Sequence, residues 1–193
     1  MKKGDQTSPL ILTIGHSTRP LAALIELLQA NSVTRVVDVR TVPRSRRNPQ
    51  FNRETLPDAL QAVGIDYVHM PGLGGLRHPR ADSPNAGWRN DSFRGFADYM
   101  QTPEFEANLQ RLMDMAQDGP IALMCAEALP WRCHRSLIAD ALILQGNPVE
   151  HIMSKAHRSR HELTAWAKVD GNTITYPPET AEIDHDAGGH EHL

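Results

Sequence analysis

Over most of the chain, short apolar runs alternate with stretches whose apolar residues recur every three or four positions. Leu10 to Ile14 is an apolar run that stops at Gly15-His16-Ser17, which predicts a buried strand ending in a turn. Leu21, Leu24, Ile25 and Leu28 then share one helical face, with Ser17 or Thr18 as cap and Pro20 in the first turn. Val36 to Arg40 predicts a second strand. A second helix follows, capped by Asn52, striped by Leu56, Ala59, Leu60 and Val63, and ended by Gly64. Tyr67 to Met70 predicts a third strand. Between Pro71 and Asn90 neither period holds, and a loop of that length is functional or mobile.

Helical spacing returns at Phe93, Phe96, Ala97 and Met100, and restarts after Thr102-Pro103 with Phe105, Leu109, Leu112, Met113 and Ala116. Ile121 to Met124 predicts a fourth strand, Leu137 to Leu142 a helix ending at Gly146, and Val149 to Met153 a fifth strand. Leu163 to Ala167 reads as helical and Thr173 to Tyr176 as an added edge strand. Strands alternating with helices predict right-handed βαβ units. The expected fold class is therefore α/β: a three-layer sandwich around a mainly parallel sheet of about five strands.

Length and charge refine this picture. The chain of 193 residues suits one domain, residues 1 to 177. Residues 178 to 193 hold Glu179, Glu182, Asp184, Asp186 and Glu191, no Lys or Arg, and three histidines, which reads as a flexible acidic tail. Without that tail the formal net charge of -3 becomes weakly positive, too little for general DNA binding. No apolar run approaches the length of a bilayer span, and the first residues lack a secretory-type apolar core, so a cytoplasmic protein is expected. In that compartment the two cysteines are thiols, ligands or a transient redox pair rather than a structural crosslink.

The unusual residues follow the predicted strands. In an open parallel sheet the residues after each strand gather at one edge. His16 and Ser17 follow the first strand, the segment Asp38 to Arg47 the second, Gly72 to Gly75 the third, and Cys125 and Glu127 the fourth. Cys125 closes a buried strand and reads equally as a small core residue. Cys133 stands at a helix start beside Arg132, His134 and Arg135, where cations and the helix end stabilise a thiolate. Seven residues separate the cysteines, which is not the spacing of a zinc knuckle or a thioredoxin-like pair. Cys125, Cys133, His16 and His134 together offer ligands that suit zinc or iron. Glu127 is placed to orient a histidine, act as general base, or pair with Arg132 or Arg135.

Arg40, Arg44, Arg46, Arg47 and Arg53 fall in a segment without Asp or Glu. This loop reads as anion-binding, because guanidinium pairs bidentately with phosphate or carboxylate, and Ser17, Arg40, Arg44, Ser45, Arg46 and Arg135 are the expected substrate-binding set. A solvated basic loop is the alternative. Arg77, Arg80, Arg89, Arg94 and Trp88 could grip a nucleotide or single strand by charge and stacking. Asp38, inside an apolar strand, needs a partner such as a nearby arginine. His69 and His151 lie in strands and read as core histidines.

Ile14-Gly15-His16-Ser17, Val37-Asp38-Val39-Arg40 with Pro43 and Ser45-Arg46, Leu73-Gly74-Gly75, Cys125-Ala126-Glu127 and Cys133-His134-Arg135, in this order, resemble the family called domain of unknown function 488. The likeness spans about Leu10 to Met153. It implies an α/β fold and a site built from these motifs, and it brings no settled reaction. The leading expectation is an enzyme, metal-assisted or not, in which Cys125, Glu127, Cys133, His134 and His16 act on an anionic small molecule or nucleotide held by arginines. The alternatives are a non-catalytic nucleotide or nucleic-acid binding module and a cysteine-based redox switch.

Overall fold

The computed structural model describes residues 8 to 178; the acidic tail expected after residue 177 lies almost wholly outside the described residues. The central sheet has six strands in the order β3-β2-β4-β1-β5-β6. They are β1 (Ile11–Gly15), β2 (Arg35–Asp38), β3 (Asp66–His69), β4 (Ile121–Cys125), β5 (Val149–Ile152) and β6 (Arg158–Arg160). The first five are mutually parallel, and β6 pairs with β5 in antiparallel fashion. Five helices cover the sheet: α1 (Leu21–Ala30), α2 (Leu56–Gln61), α3 (Asp91–Tyr99), α4 (Pro103–Gln117) and α5 (Arg135–Leu144). This is the expected three-layer α/β fold, with one strand more than the apolar runs predicted.

Side chains alternate across each strand, and the core divides accordingly. Leu12 and Ile14 of β1, Val36 of β2, and Ala122 and Met124 of β4 pack with Leu24, Leu28, Leu56 and Leu60 of α1 and α2. Ile11, Val37, Val39, Ile121, Leu123 and Cys125 point the other way, against Phe96, Leu109, Leu112, Leu137 and Ile138 of α3, α4 and α5. The chain builds outward from β1 to β3 with helices on one face. It then returns to β4 and β5 with helices on the other, as right-handed crossovers require.

Local signals account for most boundaries. Asn90 caps α3 by accepting from the amides of Ser92 and Phe93, and Thr102 caps α4 through the amide of Phe105. Gly64 and Gly146, at φ +77° and +86°, close the turns after α2 and α5. Four expectations fail. Neither Ser17 nor Thr18 caps α1, whose cap position is Pro20 with no side-chain hydrogen bond. Asn52 does not cap α2 either; its Oδ1 accepts from the Ser45 amide at 2.6 Å and so ties the arginine loop to the chain beyond it. Leu163 to Ala167 is not helical, and β8 (Thr173–Thr175) pairs with β7 (Lys168–Asp170) in a separate hairpin instead of extending the main sheet.

That final segment is held by one buried carboxylate. Asp140 of α5 is fully buried and accepts from Tyr176 Oη (2.8 Å), Thr164 Oγ1 (2.7 Å), the Thr164 amide (3.1 Å) and His161 Nε2 (2.8 Å). Its four donors come from Tyr176, Thr164 and His161, so the carboxylate ties this segment to α5 alongside the packing of Ile174 and Tyr176 into the core. Asp140→Ala would strand these donors. It is expected to lower unfolding free energy by about 3 kcal/mol, against about 1 kcal/mol for Thr164→Val, in urea titrations. Equal effects of the two would contradict the clamp.

Candidate functional site

At the carboxyl end of the sheet the strand alternation splits the expected site into two halves on opposite faces. On the α1–α2 side, Asp38 and His16 continue the faces of Val36 and Ile14. Asp38 is fully buried and chelates Arg40, with Oδ2 to Nη2 at 2.6 Å and Oδ1 to Nε at 2.9 Å. Tyr67 Oη donates to the same Oδ2 at 2.7 Å, and the Phe51 carbonyl accepts from Arg40 Nη2. Arg40 Nη1 reaches His16 Nε2 at 3.1 Å, while His16 Nδ1 lies 2.8 Å from the Ser17 carbonyl. A carbonyl can only accept, so His16 carries its proton on Nδ1 and presents Nε2 as acceptor to the guanidinium. Burial, with the Arg40 charge adding to it, lowers the His16 pKa to about 4. The ring stacks on Phe51 at a centroid distance of 4.3 Å. His16 is therefore a neutral positioning group for Arg40.

The second half lies on the α3–α5 side. Cys125 ends β4, and a loop with a short 3-10 turn at Pro130–Arg132 returns the chain so that Cys133 and His134 precede α5. Gly15 makes the return path possible, because a Cβ there would sit 1.9 Å from the Glu127 carbonyl. The amides of His16 and Ser17 hydrogen-bond to the carbonyls of Cys125 and Ala126, each at 2.9 Å, and fix the loop on the tip of β1.

Beneath this loop lies Arg135, 1% exposed. Its Nη1 donates to Cys125 Sγ at 2.7 Å and to the Glu127 carbonyl, and its Nη2 donates to the Ala128 carbonyl at 2.8 Å. Among the described residues no carboxylate forms a salt bridge with it. The Cys125 thiol is lowered to about 7, first by a hydrogen bond from Cys133 and then by the Arg135 charge and a Glu127 backbone hydrogen bond, which together outweigh burial. Cys133 moves the opposite way: its hydrogen bond to Cys125, burial and the neighbouring negative charge all push it up. Cys125 is thus the more acidic thiol of the pair.

His134 faces Cys133 from the other side. Its Nε2 lies 3.0 Å from the Leu73 carbonyl and 3.2 Å from that of Val39, so this nitrogen bears the proton and Nδ1 is a bare acceptor 3.7 Å from Cys133 Sγ. Burial lowers its pKa to about 4. A Cβ on Gly75 would meet Nδ1 at 2.5 Å, which explains the glycine in Leu73-Gly74-Gly75.

A cavity of about 340 Å³ opens over these groups, lined by Arg40, Thr41, Val42, Gly75, Leu76, Ser92, Phe93, Cys125 to Glu127 and Arg132 to His134. The structure thus gathers Cys125, Cys133, His134, Arg40 and Arg135 as expected. It places His16 behind Arg40, on the opposite face from Cys125. The four expected metal ligands His16, Cys125, Cys133 and His134 do not converge, and no group of three or more metal-ligating side chains occurs among the described residues. The ring nitrogens explain this: His134 Nε2 is committed to carbonyls, and both nitrogens of His16 are engaged elsewhere.

Other expected roles shift too. The Glu127 carboxylate is exposed and accepts from the Leu129 amide, and it orients neither histidine and pairs with neither Arg132 nor Arg135. Arg44 and Arg46 are exposed and do not line the cavity; Ser45 Oγ accepts from the Asn48 amide within its own loop. Ser17 contributes only backbone groups, at φ +51°. Trp88 packs against Phe93, Trp166 and Tyr176, while Arg77 lies over Tyr99, and Arg80 and Arg94 pair with Asp82 and Asp91. Sequence reasoning missed Thr41, Val42, Leu76 and Phe93 as cavity walls, since nothing in an ordinary apolar or loop residue marks it as lining.

No helix among the described residues is long and apolar enough to cross a membrane. No curated protein and no solved structure matches the chain. One family model does, that of domain of unknown function DUF488, over residues 20 to 142. The matched stretch contains Asp38, Arg40, Gly75, Cys125, Cys133, His134 and Arg135, and begins after His16 and Ser17. By that match over more than half its length, the chain belongs to the domain of unknown function 488 family.

Proposed function

We propose that the protein is an enzyme whose Cys125 thiolate is a nucleophile toward a small anionic substrate bound in the cavity above it. The observation that carries this reading is the environment of Arg135. A guanidinium that is 1% exposed and has no carboxylate partner among the described residues requires another anion, and the sulfur at 2.7 Å is the group able to become one. Burial without such a partner would raise the thiol, as it does in ordinary core cysteines.

Substrate charge is read from the cavity walls. Arg132 is exposed at the rim and has no salt-bridge partner among the described residues, whereas the Arg40 guanidinium is held by Asp38. Leu76, Val42 and Phe93 keep the opening largely apolar, which strengthens the attraction of Arg132 for an anion. The nucleotide or nucleic-acid reading has weaker support, because Trp88 and most of the arginines around it are engaged in packing and ion pairs.

Iodoacetamide alkylation followed by intact mass tests the nucleophile. The rate at Cys125 is expected to rise with a midpoint near pH 7. Arg135→Met is expected to move that midpoint toward the ordinary thiol value of about 8.5 and to slow alkylation at pH 7 about tenfold. Phosphate or sulfate is expected to protect Cys125, and Arg132→Ala to weaken that protection. A wild-type midpoint of 8.5 or above would remove the proposal.

The neutral histidines generate a further expectation. Burial is the first cause lowering His16 and His134 to about 4 and His151 to about 3, whereas unfolded histidine titrates near 6.5. Between those values the unfolded chain binds more protons than the folded one, so stability is complete above pH 6.5 and falls as pH drops toward 4. Each group contributes up to about 3 kcal/mol of this loss. Urea midpoints measured from pH 7.5 to 4.5 should show the decline, and His134→Gln should flatten it; a midpoint constant from pH 7 to 5 would mean these rings are charged in the fold.

A further inference from the structure

Two thiols in one cavity wall, each with its own polar partner, are more than one nucleophile needs. Cys125 has Arg135, and Cys133 has the bare Nδ1 of His134 at 3.7 Å. Both thiols line the same cavity, and both lie inside it with at most 6% of their surface exposed. Backbone restraints hold them in register: the Cys133 amide donates to the Pro130 carbonyl, while the Ser136 amide and Oγ both donate to the Cys133 carbonyl.

We propose that Cys125 and Cys133 form a two-cysteine redox centre that reduces hydroperoxides, with Cys125 attacking the peroxide and Cys133 resolving the product as a disulfide. This rests on the reading of Cys125 as the thiolate nucleophile and extends it to a reaction, with the anionic group that Arg132 would attract carried on the organic part of the hydroperoxide. In the first step the Cys125 sulfur bonds to the terminal peroxide oxygen and the O–O bond breaks. The alkoxide leaves and takes a proton, giving an alcohol and Cys125 sulfenic acid. Sulfur is oxidised by two electrons and the peroxide is reduced. In the second step the Cys133 proton passes to His134 Nδ1, and the Cys133 thiolate attacks the Cys125 sulfur. The S–O bond breaks, hydroxide leaves and is protonated to water, and the disulfide remains. An external dithiol restores the pair by exchange.

The geometry explains why the steps occur in that order. While Cys125 is anionic, its charge and its hydrogen bond keep the proton on Cys133. Once Cys125 carries oxygen and no charge, that restraint disappears. Arg135, whose charge also favours the Cys133 thiolate, is then free to support it. Both thiols line one cavity, and closing the disulfide brings their sulfurs to the roughly 2 Å of an S–S bond.

The test treats the full chain with stoichiometric hydrogen peroxide and reads intact mass, with dimedone as the trap for sulfenic acid. Wild-type protein is expected to lose the mass of two hydrogens, to resist dimedone and to recover its mass with dithiothreitol. Cys133→Ser should accumulate a dimedone adduct at Cys125, and Cys125→Ser should show neither product. His134→Gln should slow disulfide closure at least fivefold while the first step proceeds. Wild-type protein that stops at a stable sulfenic or sulfinic acid, or that does not react with peroxide while Cys125 still alkylates with a midpoint near pH 7, overturns this proposal and leaves the nucleophile intact. Failure of both assays overturns the two together.

Discussion

The arrangement around the cysteines depends on one buried positive charge. Moving a guanidinium out of water costs several kcal/mol, and the cost must be offset by groups that accept all its donors or neutralise its charge. Arg135 meets most of this demand by drawing the chain after β4 around itself: the carbonyls of Glu127 and Ala128 and the Cys125 sulfur accept from Nη1 and Nη2, while Nε stays buried without a partner. The loop's shape and the need for a side-chain-free Gly15 beneath it follow from the same cation, which also adds to the hydrogen bond from Cys133 in lowering the Cys125 thiol.

A second buried arginine at the same sheet edge offers a comparison. Arg40 is met by Asp38, itself held by Tyr67, so its charge is neutralised within the fold. A bidentate carboxylate partner leaves little charge to act on anything else. Arg135 has oxygen dipoles and a titratable sulfur instead, and its field falls on Cys125. Two buried arginines thus differ in what surrounds them, and that difference, more than the count of basic residues nearby, separates a neutralised ion pair from a cation facing a thiol.

Much of this was legible in the sequence. Apolar runs and helical stripes located five strands and all five helices, because each fills a two-sided core whose periodicity is written in the residues. The edge strand β6 was not, since Arg158-Ser159-Arg160 buries almost nothing and its pairing comes from β5 alone. Leu163 to Ala167 carries apolar residues but is shaped by Asp140 across the fold, which no local pattern reports. The arginine loop misled for a related reason: a run of like charges marks exposure as readily as binding, and Arg44 and Arg46 are simply exposed.

The expected union of His16 with the cysteines failed on a rule the sequence already contained. Successive strand residues face opposite sides, so counting from Ile14 to His16 and from Leu123 to Cys125 across the Gly15 and Cys125 register places the imidazole and the thiol on different faces. Convergence at one sheet edge therefore does not imply one cavity. His134 escapes the restriction because it lies before α5 and enters from above the α3–α5 face, where Gly75 leaves room for its ring. The half of the edge that holds both cysteines is thus assembled from the end of β4, the loop after it and the start of α5, while Asp38 and His16 with Arg40 form the half opposite.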